Sequence, residues 1–252
     1  MTQRRRQDQI LEKVQQVGFV TIDELVEHFQ VTPQTIRRDL NQLAQQSKLR
    51  RHHGGAGIDS STVNLEYQAR KIMDLAAKEK IARALVKLIP DGASLFINIG
   101  TTTETIARAL LNHKNLRIVT NNLHVASILC TQEDFTVIVA GGEIRNRDGG
   151  IVGEATRDFI NQFQMDFGVI GISGIHGDGS LLDYDYREVR VAQTIISNAR
   201  HVLLAADHSK FGRNAMVRLG NITQADHFFT DQPPPGEIQQ LLIDHQVELH
   251  IA

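Results

Sequence analysis

The sequence predicts an α/β protein: a small basic helical module with a β-ribbon, followed by a larger, mostly parallel, doubly wound sheet. Three observations carry this. From Ser94 onward, short apolar runs alternate with helical stretches, the pattern of strand–helix–strand units. Those runs are continuously apolar, as strands covered on both faces are. Ahead of them stand three helical patterns with start and stop signals and a basic stretch ending in Gly54-Gly55.

In chain order, Ile10, Leu11, Val14 and Val17 lie at helical spacing over 4–17, and Gly18 supplies a stop. Phe19-Val20 is a short extended piece. Thr21 and Glu24 form a capping box ahead of Leu25, Val26 and Phe29. Thr32 caps a third helix with Pro33 in its first position, where the missing N–H costs nothing, and Ile36, Leu40 and Leu43 mark its buried face. Leu49 to His53 and Gly54-Gly55 read as a β-ribbon. Residues 57–64 are small and polar, suiting a linker. An amphipathic helix is expected over Ala77–Ile89. Strands are expected at Leu95–Ile99, Arg117–Thr120, Phe135–Ala140, Phe167–Ile172, His201–Ala206, His227–Thr230 and Val247–Ile251, with helices near 103–111, 122–130, 153–162, 186–199 and 235–245. The expected domains are 1–57, with a helix-turn-helix at 20–39, a linker over 58–75, and a sheet domain over 76–252.

Composition excludes several classes. A hydrophobic content of 41% is enough for a real core. The single cysteine, Cys130, excludes an intramolecular disulfide framework and, following Ala126 to Leu129, reads as a buried small hydrophobe. No apolar run is long enough for a membrane span, and the basic N-terminus lacks the apolar stretch of a secretory signal, so a cytoplasmic protein without a membrane partner is expected. Net charge is only −2. Its distribution is uneven: residues 1–57 hold nine basic and six acidic side chains, while the remainder holds 18 and 23. A basic segment ahead of an acidic one points to a nucleic-acid partner at one end.

The third helix sharpens that inference. With its apolar residues inward, Thr32, Gln34, Thr35, Arg37 and Arg38 face outward, as base-reading residues of a recognition helix must. Arg51, His52 and His53 on the ribbon are placed to reach phosphates or the minor groove, and Arg4–Arg6 to add phosphate contacts. The pair His52-His53 has no Cys or carboxylate at ligand spacing, so no metal site is expected there.

A second constellation gathers at the predicted C-terminal ends of strands, where open parallel sheets bind ligands. Gly100-Thr101-Thr102 opens a helix and can cradle a phosphate with backbone N–H groups and hydroxyls. Asn121, Asn122, Gly141, Gly142, Ser173 and Asp207 lie in equivalent loops, and Lys210 supplies a point charge. The spacing is neither a Walker motif nor a dinucleotide fingerprint. Asp178, Asp183, Asp185 and Glu188 could serve acid–base chemistry, but read equally as a solvated loop and the acidic start of a helix.

Taken together, these residues resemble the DeoR family of bacterial regulators. The resemblance covers essentially the whole chain. It runs through Leu25–Phe29, Thr32–Leu40 and Arg51–Gly55, then Gly100–Thr102, Thr120–Asn122, Gly141–Glu143, Asp148–Ala155 and Asp207–Arg213. It implies a winged helix-turn-helix and a Rossmann-like sensor domain of the ribose-5-phosphate isomerase and glucosamine-6-phosphate deaminase type. It also implies repression of glycerol-phosphate genes, relieved by glycerol 3-phosphate or a related sugar phosphate as effector, with no catalytic residues and no cofactor. Asn98 stands where relatives tend to carry an acid, and the Asp178–Glu188 stretch lacks the deaminase arrangement. The expected partners are double-stranded operator DNA and a small phosphorylated metabolite. The expected assembly is a homodimer or homotetramer whose paired modules span palindromic half-sites. The competing readings are a repressor of another sugar-phosphate pathway, a sugar-phosphate isomerase or deaminase with an accessory DNA-binding module, and a DNA-binding scaffold with a vestigial sheet domain.

Overall fold

The computed structural model describes residues 2–46, 48–52, 54–57, 64 and 67–252. The chain divides into two compact units, Met1–Leu75 and Ala76–Ala252.

In the first unit, helix α1 (Gln3–Val17) stops at Gly18, whose positive φ lets its N–H reach the Val14 carbonyl. Strand β1 (Phe19–Thr21) leads into α2 (Ile22–Phe29), started by the reciprocal Thr21–Glu24 capping box. Gln30 turns the chain in the left-handed conformation, and Thr32 caps α3 (Pro33–Gln45). Strands β2 (Arg50–His52) and β3 (Gly55–Gly57) form the ribbon, and β1 pairs with β3 to make a three-stranded sheet. The extended piece at Phe19-Val20 was expected from sequence; its pairing with the ribbon was not. Gly55 is what permits it: a Cβ there would lie 2.2 Å from the Val20 carbonyl oxygen and 2.5 Å from the Phe19 ring. Ile10, Val14, Leu25, Ile36, Leu40 and Leu43 pack as one core. Helix α4 (Tyr67–Ile72) closes the unit within the segment expected to be linker, whose residues 58–63 lie outside the described residues.

Beneath α3 sits a buried polar lock. Asp39 pairs with Arg6 and accepts hydrogen bonds from Gln3 and Gln7 at 3.0 and 3.3 Å. This corrects the expectation for Arg6. It is buried against Asp39, one turn from the buried Ile36, and is spent on holding α1 to α3; Arg4 and Arg5 are exposed.

The second unit is built on a seven-stranded sheet. Its elements are α5 (Leu75–Leu85), which continues as a 3-10 turn at Val86–Leu88, β4 (Ser94–Ile97), α6 (Thr101–Leu110), β5 (Arg117–Thr120), α7 (Leu123–Leu129) and β6 (Thr136–Val139). Then come the hairpin β7 (Glu143–Arg145) and β8 (Gly150–Val152), α8 (Glu154–Ile160), β9 (Met165–Gly171), β10 (Gly174–Ile175), β11 (Ser180–Asp183), α9 (Tyr186–Asn198), β12 (Ala199–Ala205), β13 (Val217–Asn221), β14 (His227–Thr230), α10 (Gly236–Asp244) and β15 (Glu248–Ile251). The large sheet has the order β15-β14-β12-β9-β4-β5-β6 and every pair is parallel. Residues alternate between two cores: Leu95, Ile97, Ile118, Leu203 and Phe229 pack under α5, α6 and α7, while Phe96, Val119, Val202, Leu204 and Phe228 pack under α8, α9 and α10. Two buried faces explain the unbroken apolar runs.

The seven expected strands are the seven of this sheet. The hairpin β7–β8 and the antiparallel sheet β10-β11-β13 were not foreseen, because two to five residues rich in Gly and Ser leave little periodicity. Cys130 is a correction: it is exposed at the C-terminal end of α7, its Sγ donating to the Ser127 carbonyl, because the helix turns its Ala126–Leu129 face inward.

The Asp39 lock yields a stability prediction. Asp39→Ala strands the buried Arg6 charge, and urea unfolding should lose about 3–5 kcal/mol. A loss under about 1 kcal/mol, the range of an exposed pair, would show the lock to be dispensable.

Candidate functional site

Two sites emerge, one in each unit. In the first, burial of Ile36, Leu40 and Leu43 leaves Gln34, Arg37 and Arg38 exposed and Thr35 half-buried. Thr32 is exposed but already engaged: its hydroxyl accepts from the Thr35 N–H and meets the Thr35 hydroxyl at 2.9 Å. These residues line an open groove along α3 that extends through Asn41, Gln42 and Gln45, a continuation the sequence reading stopped short of. On the ribbon, the Arg51 guanidinium donates to the Gly55 carbonyl at 3.2 Å. Burial, and then the charge of Arg37, lower its pKa. Two cations are thus held close enough to repel, an arrangement suited to a polyanion. His52 pairs with Gly55 through the ribbon backbone, and His53 lies outside the described residues.

The second site follows from sheet topology. From β4 the chain moves to β5 and β6 on one side, and later to β9, β12, β14 and β15 on the other. The loops leaving β4 and β9 therefore diverge, opening a crevice at the switch point. Gly100 begins α6 with φ 152° and ψ 151° and offers no side-chain cap, so the first-turn N–H groups of Thr101 and Thr102, which no helix satisfies internally, are not capped by it. Thr103 fixes this turn by donating to the Asn98 and Gly100 carbonyls, each at 2.8 Å.

The neighbouring loops are pinned to it. Gly150 packs so closely on Ile99 that a Cβ would lie 2.5 Å from its Cδ1. The Asn121 amide donates to the Ile151 carbonyl at 3.1 Å, and the Ile151 N–H returns to the Asn121 carbonyl at 2.7 Å. Asn122 caps α7. Ser173 donates to Asp183 at 3.1 Å, and the adjoining β10 bridges Phe211. Three buried amide atoms, Asn98 Oδ1, Asn121 Oδ1 and Asn122 Nδ2, have no hydrogen-bond partner among the described residues. Buried polar atoms are rarely left so, and both acceptor and donor types are represented.

Charge concentrates at the end of β12. Asp207 is fully buried; it accepts from the Ser209 N–H and hydroxyl, and its Oδ2 lies 3.6 Å from the Lys210 ammonium. Burial acts to raise the Asp207 pKa, but the charges of Lys210 and Lys78 and the Ser209 hydrogen bonds outweigh it and leave the carboxyl at about 2. Lys78, only 1% exposed, was missed by sequence reasoning. Its signal was present: Lys78, Ile81, Ala82 and Leu85 form the buried stripe of α5, so a lysine occupies a core position.

The structure gathers Gly100, Thr101, Thr102, Asn121, Asn122, Ser173, Asp207 and Lys210 onto the rim formed by the C-terminal ends of the strands. Gly141 and Gly142 behave differently: both are exposed, and Gly142 packs on Thr156 and Val152. The carboxylate stretch opens on an exposed Asp178 and runs into the acidic start of α9, where Asp185 is the N-cap and Glu188 lies in the first turn, as expected from sequence; the burial of its later members was not expected. Arg145, from the β7–β8 hairpin, reaches Asp148 at 2.8 Å, Asp185 at 2.9 Å and Glu188 at 2.7 Å, all largely buried, and only Asp178 is fully exposed. Burial acts to lower the Arg145 pKa and the three carboxylates more than offset it. For Glu188, burial first and then Asp183 raise the pKa to about 7 against the pull of Arg145.

Comparison with known proteins covers both units. The DeoR-like helix-turn-helix domain model matches residues 6–62, and the DeoR C terminal sensor domain model matches residues 73–232. The chain is 58% identical over 252 residues to the glycerol-3-phosphate regulon repressor of Escherichia coli K12, covering all of both chains. It is 53% identical to the protein of the same name from Haemophilus influenzae, covering 96% of this chain and 94% of that one. It is 42% identical to the HTH-type transcriptional repressor CsqR of Escherichia coli K12, covering 99% and 95%. Ribose 5-phosphate isomerase A from Neisseria gonorrhoeae aligns over 53% of this chain and 52% of its own at 15% identity and a TM-score of 0.40, too distant a likeness to carry an argument.

The raised Glu188 pKa makes a signed prediction. The folded protein holds a proton on Glu188 that the unfolded chain, at an ordinary 4.5, releases. Its contribution to stability is therefore full below about pH 4.5, declines toward pH 7 and levels beyond. Denaturant titrations of Glu188→Gln should lack that decline, worth about 1–3 kcal/mol; an unchanged pH profile would place the proton elsewhere.

Proposed function

The chain belongs to the DeoR family of transcriptional regulators, and from that premise we propose that it is a sequence-specific DNA-binding repressor of glycerol-3-phosphate metabolism genes, released from its operator by glycerol 3-phosphate. The observation that carries the DNA half is the face of α3: Gln34, Arg37 and Arg38 exposed together above a core that fixes their direction. Arginine and glutamine at that position make bidentate contacts to guanine and adenine in the major groove, with Thr32 and Thr35 close to the phosphates. Arg51 on the ribbon, with His52 and His53 next to it in sequence, serves phosphates or the minor groove. Two such modules in a symmetric homodimer or homotetramer span palindromic half-sites.

The effector half rests on the rim. A phosphate settles on the N–H groups and hydroxyls of Thr101 and Thr102, beside Gly100, with Lys210 and Lys78 as counter-charges. The amide atoms Asn98 Oδ1, Asn121 Oδ1 and Asn122 Nδ2, which have no partner among the described residues, suit the hydroxyls of a small polyol, and Ser173 and Asp207 border them. The choice of glycerol 3-phosphate follows two relatives, 58% and 53% identical, that are glycerol-3-phosphate regulon repressors; Gly141 and Gly142 contribute shape to the rim more than contact.

Two substitutions separate the halves. Arg38→Ala should weaken operator binding about 5–150-fold, the value of one base contact of about 1–3 kcal/mol, and leave glycerol 3-phosphate affinity unchanged by calorimetry. Lys210→Ala should bind operator normally and fail to release it. Effector affinity untouched in Lys210→Ala would displace the phosphate from this rim.

A further inference from the structure

At the far edge of the large sheet, His227 on β14 and Glu248 and His250 on β15 bring three metal-binding atoms together. His227 pairs with Glu248 and Phe229 with His250 across the parallel ladder, so all four side chains project from one face. His227 Nδ1 lies 3.1 Å from His250 Nε2. The Glu248 carboxylate faces both rings, its Oε2 3.3 Å from His227 Nδ1 and its Oε1 3.5 Å from His250 Nε2.

Those three separations have a meaning for coordination. A tetrahedral zinc ion with bonds of about 2.0–2.2 Å to nitrogen and oxygen sets its ligand atoms about 3.3–3.5 Å apart. The two nitrogens stand 3.1 Å apart, close to that spacing, and one atom from each of the three side chains lies within 4.8 Å of the others, so small side-chain rotations bring a nitrogen, a nitrogen and an oxygen onto one face of such a tetrahedron. The rings are held for it: His250 stacks on Phe229 with centroids 4.3 Å apart and planes 8° apart, and the His227 and His250 side chains are 16% and 24% exposed. Glu248 is more exposed and leaves an approach open from solvent.

We propose that His227, Glu248 and His250 form a binding site for a zinc-class dication, with water in the fourth position, that fastens the edge strand β15 to β14. Two imidazoles and one carboxylate select a borderline transition-metal ion over calcium or magnesium, which take all-oxygen shells. The placement gives the site a structural purpose: β15 is the terminal strand of the sheet, and among the described residues β14 is its only strand partner. A metal spanning the pair adds a cross-link where the ladder is weakest.

The test uses the full chain, stripped with a chelator and dialysed against zinc alone. The expected result is one zinc bound per chain at micromolar metal and a rise in Tm that grows with zinc concentration. His227→Ala/His250→Ala should weaken binding at least roughly tenfold and abolish the rise in Tm, while its Tm in chelator stays near that of the parent. Cobalt substituted into the unaltered chain should give the intense visible bands of a tetrahedral ion, a readout that holds even where the double variant fails to fold. No zinc bound by the unaltered chain, equal affinity in the double variant, or the weak spectrum of octahedral cobalt would each overturn the proposal.

Discussion

Because all seven strands of the large sheet run the same way, every loop leaving a strand's C-terminal end arrives at one rim, and every returning helix lies on one of two faces. That constraint assembles Gly100, Asn121, Ser173 and Asp207, which are scattered over more than a hundred residues of sequence, without any of them having to seek the others. It also forces each strand to bury both faces, so the apolar runs that build the core and the polar residues that end them come from the same requirement. Where the order of strands reverses, between β4 and β9, the adjoining loops part, and Gly150 lets the β7–β8 hairpin pack closely on Ile99 after β4.

Charge is then placed where the topology has already excluded water. Asp207 and Lys210 after β12 meet Lys78 on α5, and Arg145 and Asp148 of the β7–β8 hairpin meet Asp185 and Glu188 at the start of α9, so each cluster joins segments distant in the chain. Buried pairs add little net stability, since desolvation consumes most of the attraction, but one member left alone is costly. Such clusters fix an arrangement more than they strengthen it. Under the proposed reading, a phosphate arriving beside Lys210 and Lys78 competes with Asp207 for the same cations. Redistribution of that attraction is a physical means by which ligand binding can select one arrangement of the rim over another. Arg6 and Asp39 play the fixing part in the first unit, where they hold α1 against the underside of α3.

Much of this was legible in the sequence, for reasons that differ by element. The caps at Thr21 and Thr32 were readable because they depend on residues three positions apart. The seven strands were readable because double burial writes itself as consecutive apolar residues. The buried arginines and lysine were not. Arg6, Lys78 and Arg145 look like surface residues until a partner distant in the chain is known, and only the position of Lys78 on an apolar helical stripe hinted otherwise. Pairing of β1 with the ribbon, and the small sheet beside the rim, depend on close backbone approach at Gly55 and Gly174, which periodicity does not encode. Cys130 was misplaced by a single residue's rotation at a helix end, where an apolar run stops being a guide to burial.

The central claim is that an anion at the strand-end rim controls how a duplex is held by α3. It is tested most directly by titrating operator DNA with the full chain at fixed salt, in the absence and presence of saturating glycerol 3-phosphate. A coupling of about 1–3 kcal/mol should weaken operator affinity about 5–150-fold, with no such change for glycerol or for inorganic phosphate alone. Operator affinity that stays the same at saturating glycerol 3-phosphate would contradict the account.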